Sequence, residues 1–135
     1  MVCLAGFALG WLTYDVPYAL GVRLPVLTWY ETAIDPYSAH LPYHLRLAIM
    51  AAAFLYGPFY VVALWGMWRR AAWVGPLALP ISGALVATTT LSMAASLSSD
   101  TPPLNLGVFL GFNGPYVVVP LALIYRFTVA ARTTG

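Results

Sequence analysis

The sequence predicts an all-α integral membrane protein, a four-helix bundle with almost nothing outside the bilayer. Composition and pattern carry that expectation together. Of the 135 residues, 61% are hydrophobic and only 7% are charged, against roughly 25% charged in an ordinary soluble domain. A water-soluble fold of this size must cover its surface with polar groups, and this chain has too few. The pattern is a series of four apolar runs, each long enough to cross a hydrocarbon core about 30 Å thick, which takes roughly 20 helical residues.

The first run covers residues 1 to about 22 and is interrupted by Asp15 and Pro17. The second, residues 43 to about 68, is rich in alanine and aromatics. The third, residues 73 to about 97, has Pro76 and Pro80 near its start, and the fourth, residues 104 to about 131, contains Pro115 and Pro120. Such breaks are tolerated in a membrane helix when neighbouring helices or side chains satisfy the freed carbonyls. The first run does not read as a secretory leader: it has no basic start, and Asp15-Val16-Pro17 is not a small-residue cleavage site. Residues 1–135 read as a single domain.

Arginine placement sets the orientation. Arg69 and Arg70 fill the turn between the second and third runs, and Arg126 and Arg132 end the fourth. With four spans these lie on one side, so that side and both termini are expected to be cytoplasmic. The opposite side holds a short loop, 98–103, and a long one, 23–42, which contains Trp29, Tyr30, Glu31, Asp35, Pro36, His40 and Pro42. Loops of about twenty residues are functional or carry structure of their own. The aromatics here predict an interfacial segment folded over the bundle mouth.

Several function classes are excluded or unsupported. Six arginines, no lysine and four acids give a formal charge of +2, too small and scattered for a nucleic-acid footprint. Cys3 is the only cysteine, which rules out an internal disulfide. His40 and His44 are four apart, but Pro42 between them argues against one helical face, so no metal site is predicted. No phosphate-cradling glycine loop, nucleophile elbow or paired cysteine occurs, and no cofactor is expected. Gly107 and Gly111 form a small-xxx-small pair that close helix packing would explain.

Polar residues inside the spans are the informative ones. A carboxylate within a span costs at least ~2.5 kcal/mol on insertion scales, so Asp15 is a candidate functional acid facing the bundle interior. Pro17 has no N–H, so the carbonyl of Thr13 loses its helical partner and the helix can bend there. Asn113 and Tyr116 are three residues apart and share a face. Thr88, Thr89 and Thr90 place hydroxyls in the third span, where at least one is expected to bond its own helix backbone. Asp35 precedes Pro36, which favours an extended backbone. Its carboxylate is expected to take a structural role, accepting bonds from loop amides or a side chain such as Trp29.

The order of these signals resembles the EXPERA family, which includes the emopamil-binding protein, a sterol isomerase, and the sigma-two receptor. The matching stretches are Trp29-Tyr30 followed by Asp35-Pro36, then Leu55-Tyr56-Gly57-Pro58-Phe59-Tyr60, the run 87–91, and Asn113-Gly114-Pro115-Tyr116 followed by Pro120. The resemblance implies a four-helix fold around an apolar pocket open to lipid. It also implies homodimers, and ligands that are sterols, isoprenoids or lipophilic amines. Asp35 would match the aspartate of the family's D-P segment, and Asn113 and Tyr116 its pocket positions on the last helix. A bacterial member in an inner membrane is the expected setting.

The departures from the family are as specific. Its helix-two glutamate falls near Ala52, where no acid exists, and its helix-one aspartate near Arg23. Isomerisation of a double bond needs a proton donor and an acceptor in the pocket, which leaves Asp15 and Asp35. Three functions follow. The first is a non-enzymatic binder of a hydrophobic ligand, with Trp11, Asp15, Tyr56, Thr88, Asn113 and Tyr116 as candidate contacts. The second is an isomerase or cyclase-like enzyme using Asp15 or Asp35 as acid, with the faces of Trp11, Tyr56 and Tyr116 stabilising a carbocation. The third is a small structural or assembly subunit, which needs no pocket.

Overall fold

The computed structural model describes residues 2–40 and 42–133, with side chains described as far as Val129. Met1, Thr134 and Gly135, at the ends of the expected domain, lie outside the described residues, as does the side chain of Arg132. Among the described residues the protein is helical, with no strand. Helix α1 occupies residues 2–19, and two short helices follow in the long loop, α2 (Pro25–Ala33) and α3 (Pro36–Ala39). Then come α4 (Tyr43–Trp68), α5 (Val74–Leu97) and α6 (residues 106–133).

Three helices are long and apolar enough to cross a membrane: α4, α5 and the 106–129 part of α6. The fourth expected span, α1, is helical from residue 2 to 19 but is not among them. Tyr14, Asp15, Pro17 and Tyr18 dilute the apolar character of its second half.

Packing follows sequence neighbours and one long-range pair. α1 lies against the second half of α4, and α5 against the second part of α6. One apolar core draws on all four: Leu4 and Phe7 from α1, Tyr56, Phe59 and Tyr60 from α4, and Ala78 and Leu85 from α5, with Tyr116 and Phe127 of α6 packed on it. Gly107 and Gly111 depart from the sequence expectation. Nothing lies within 4 Å of a Cβ built at Gly111, and only Asn105 approaches Gly107. Among the described residues no helix packs on that pair, because α6 turns its other faces to α5 and the core.

The long loop is structured, as its length and aromatics predict. Leu27 is completely buried, and Tyr30 and Ile34 pack on Phe109 at the start of α6. The Ile34 carbonyl accepts a bond from the Leu104 amide at 2.9 Å, and the Ser38 carbonyl accepts one from the Tyr18 hydroxyl at 3.0 Å. Arg23 donates to both oxygens of Glu31 at 2.6 and 2.7 Å. No local pattern assigns Glu31 a role; the structure employs it to close α2 back onto the end of α1. These ties make α2 and α3 a cap over one end of the helices.

The opposite end closes with the short turn between α4 and α5. The Ala71 amide bonds the Gly66 carbonyl and the Arg70 amide the Met67 carbonyl, which satisfies the last carbonyls of α4. The closing residue of that motif takes a left-handed backbone, and here it is Arg70, with φ 52°. An L side chain pays about 1 kcal/mol for that conformation. Arg70→Gly should therefore raise thermal stability in detergent by about that much, and a melting point unchanged or lowered would show that the arginine side chain contributes more than its backbone costs.

Candidate functional site

Two prolines shape the site before any ligand is considered. Pro17 in α1 and Pro58 in α4 lack an N–H, and each sits two residues after a wide turn of π-helix, Trp11–Asp15 and Ala52–Tyr56. Within these turns the Val16 amide bonds the Trp11 carbonyl, and the Gly57 amide the Ala52 carbonyl. In α4 this leaves Ala53 without a backbone donor. Its α-helical partner, the Gly57 amide, is taken, and the next position is Pro58. The Trp11 indole N–H donates to that carbonyl at 2.8 Å, so the two wide turns are tied together. Gly57 permits this approach, since a Cβ there would overlap the Trp11 ring. π-turns inside helices frequently occur at functional sites, and the last residue of each turn here, Asp15 and Tyr56, lines one cavity.

That cavity has a volume of about 270 Å³ and is lined by residues of α1, the α2–α3 cap, α4, α5 and α6. Of the residues the sequence singled out, Asp15, Asp35, Tyr56, Thr88, Asn113 and Tyr116 all line it. Trp11 is not among its lining residues: its N–H is engaged by the Ala53 carbonyl and its ring lies against Gly57. Tyr116 stacks on Phe7 with ring centroids 4.4 Å apart. Thr88 bonds its own helix at the Ala84 carbonyl, 2.9 Å, as expected of a membrane threonine, and its hydroxyl also lies 3.4 Å from that of Tyr56. Asn113 donates to the Phe109 carbonyl at 2.9 Å and to the Tyr30 hydroxyl at 3.0 Å, which joins the cap to α6. Burial raises the Tyr30 phenol to about 12, against the opposing Asn113 bond.

The two acids differ. Asp15 makes no ion pair and no hydrogen bond among the described residues. Asp35 is buried, and Ser96 donates to its Oδ1 at 2.6 Å. The Tyr37 amide supplies a loop backbone bond, as expected; the side-chain partner is on α5, and Trp29, the side chain proposed from sequence, is half exposed and stands edge-on to Phe112. A stripe at helical spacing, Thr88, Ser92 and Ser96, could have indicated this. The first two line the cavity and the third holds Asp35. Tyr30 and Tyr60 were also missed as lining residues, although Tyr60 is one turn from Tyr56.

The Asp35 bond makes a stability prediction. Burial raises its carboxyl above the usual range, opposed by the Ser96 hydroxyl and the Tyr37 amide. The folded state therefore holds the proton to higher pH than the unfolded chain, so this group's contribution is complete below about pH 3.9 and is lost as pH rises through the folded value. Asp35→Asn keeps an acceptor for Ser96 without the charge, and should flatten that part of the pH profile. Asp35→Ala strands the Ser96 hydroxyl and should cost about 1–3 kcal/mol. Melting curves in detergent between pH 4 and 8 decide it; equal losses for both variants would show that the acceptor oxygen is not what matters.

Helices of this length and apolarity, packed about a shared core, define a multi-pass helical membrane protein. Its sequence matches the family model of EXPERA (EXPanded EBP superfamily) over residues 25–127, and the chain belongs to that family. No match was found among curated proteins or among solved structures. The matched region holds the whole cap, α4, α5 and most of α6; Asp15 and the wide turn of α1 lie before it.

Proposed function

We propose that this protein binds a hydrophobic ligand, a sterol, an isoprenoid or a lipophilic amine, in the cavity between its helices. The observation that carries the reading is Asp15: a carboxylate without a protein partner among the described residues, in a cavity whose other walls are largely aromatic and aliphatic. A ligand with one polar or cationic end and an apolar body complements that arrangement, since few placed polar groups fix orientation while apolar walls supply contact. The volume is at the small end for ligand pockets, which run from about 300 Å³ upward. It suits the polar end of such a ligand, with the remainder projecting toward lipid.

A second reading is an isomerase or cyclase-like enzyme. It is favoured by one fact: Asp15 and Asp35 line the same cavity, as a proton donor and acceptor must. Asp35 is already engaged by Ser96, whereas Asp15 is free to act, so binding is the better-supported function. Mass spectrometry of lipid co-purified with the protein tests the proposal. A stoichiometric sterol, isoprenoid or amine supports it. Conversion of that lipid on incubation would support the enzyme, and an empty cavity that takes up no hydrophobic amine would sink both in favour of a structural subunit.

In this reading α1 is the fourth span of a four-helix bundle, and the arginine-rich end with both termini is cytoplasmic. Cysteines introduced at Ala72 and Asp100, both exposed, in a chain with Cys3 replaced by serine, should label from opposite sides of the membrane. Labelling from one side would overturn the arrangement. The family suggests a homodimer, and the uncovered Gly107–Gly111 face of α6 is the surface we assign to it.

A further inference from the structure

The end of the molecule away from the cavity carries a feature that ligand binding does not use. At the turn between α4 and α5, Trp65, Trp68 and Trp73 are all exposed, as are Arg69 and Arg70. Their placement is fixed. Gly66 gives Trp73 room to lie against α4, since a Cβ there would meet its ring, and Trp73 stands 6.4 Å from Trp65. The Arg69 guanidinium stacks over Trp65 at 5.5 Å from the ring centre. That contact takes no acidic group, and neither arginine has an acidic partner among the described residues. The last carbonyls of α4 are closed by backbone bonds, so the arginines are not consumed in capping them. Phe127 packs at Gly75, which brings the end of α6, with exposed Arg126, to the same level. The four acids, Asp15, Glu31, Asp35 and Asp100, belong to the second half of α1, the cap and the opposite loop.

From this we infer that the Trp65–Arg69–Arg70–Trp73 turn is a binding site for the phosphate headgroup of an anionic phospholipid. The charge is of one sign and unpaired, a planar guanidinium is presented on an aromatic platform, and tryptophans favour the headgroup level of a bilayer. Arginine's fork matches phosphate geometry in two-point contacts. The ligand is therefore drawn from the membrane in which the helices sit, and its acyl chains lie along the exposed faces of α4 and α5.

The test is native mass spectrometry of the full chain in detergent, titrated with phosphatidylglycerol, with phosphatidylcholine of the same acyl chains, and with inorganic phosphate. Phosphatidylglycerol should bind tightest. Arg69→Gln should weaken it about fivefold, the weight of one basic residue at an anionic surface, and leave phosphatidylcholine unchanged. Trp65→Leu keeps both charges but removes the platform, and should weaken binding about threefold. Arg70→Gly separates affinity from folding, because it should melt higher than wild type yet bind phosphatidylglycerol less tightly. Equal affinity for the two lipids, or unchanged phosphatidylglycerol binding in Arg69→Gln, overturns the site. Inorganic phosphate bound with the same arginine dependence would overturn the assignment to a lipid.

Discussion

Asp15→Asn should lower the affinity for a hydrophobic amine about tenfold to a hundredfold, with a much smaller effect on a neutral sterol or isoprenol of similar size. The difference arises from what the side chain can offer. A carboxylate that faces a cavity and lacks a protein partner can make a charge-assisted bond to an ammonium, worth about 1.5–3 kcal/mol. An asparagine has the same shape and a neutral acceptor, so it keeps the cavity's volume and loses only the charge. Tyr60 and Tyr116 line the same cavity and offer ring faces that would support the same cation. Equilibrium binding to wild type and variant in one detergent, with the melting temperature of each recorded alongside, reads the effect. Equal amine affinity in two well-folded proteins would remove Asp15 from the site. A variant that loses amine and neutral ligand alike would make Asp15 a determinant of cavity shape instead.

Gly57→Ala should be the most damaging small substitution in the protein. The added methyl would occupy space held by the Trp11 indole, and overfilling a packed contact costs about 1–3 kcal/mol. If Trp11 moves aside, the Ala53 carbonyl also loses its only available donor. Pro58 cannot replace it, and an unsatisfied buried carbonyl costs about 1–3 kcal/mol more. Trp11→Phe separates these contributions: beside the native Gly57 it adds no overlap and removes only the N–H, so it should carry the second cost alone. Because both changes act on one contact, the double variant should be less destabilised than the sum of the single ones. Melting curves for the three variants give that comparison. Wild-type stability in Gly57→Ala would mean that the two wide turns are not held together by this contact. The loss should extend to ligand affinity, since Asp15 and Tyr56 end the two turns and line the cavity.

These variants mark where sequence reasoning reached and where it stopped. The membrane character, the helical class and the family were legible in the chain, because a bilayer imposes length and apolarity on every span and EXPERA motifs recur in order from Trp29 to Pro120. The polar residues of the cavity were legible too: an acid inside a span and an Asn–Tyr pair one turn apart are conspicuous where little else is polar. Which donor meets which acceptor was decided by tertiary structure. Asp35 and Ser96 are 61 residues apart, and no local pattern pairs them. An aromatic near an acid inside a span suits a cation, which is why the sequence points to Trp11 as a ligand contact. Its indole instead satisfies a carbonyl that Pro58, 47 positions later in the chain, leaves without a partner. Proline positions are printed in the sequence, but the side chain that answers the freed carbonyl depends on which helix lies beside it. Glu31 is inconspicuous in the sequence for the same reason, since its role exists only once the chain turns at Gly21 and brings Arg23 back toward α2. Sequence alone determined the solvent, the helices and the residue types available for a site; the contacts among helices determined which of those residues remain free to bind anything.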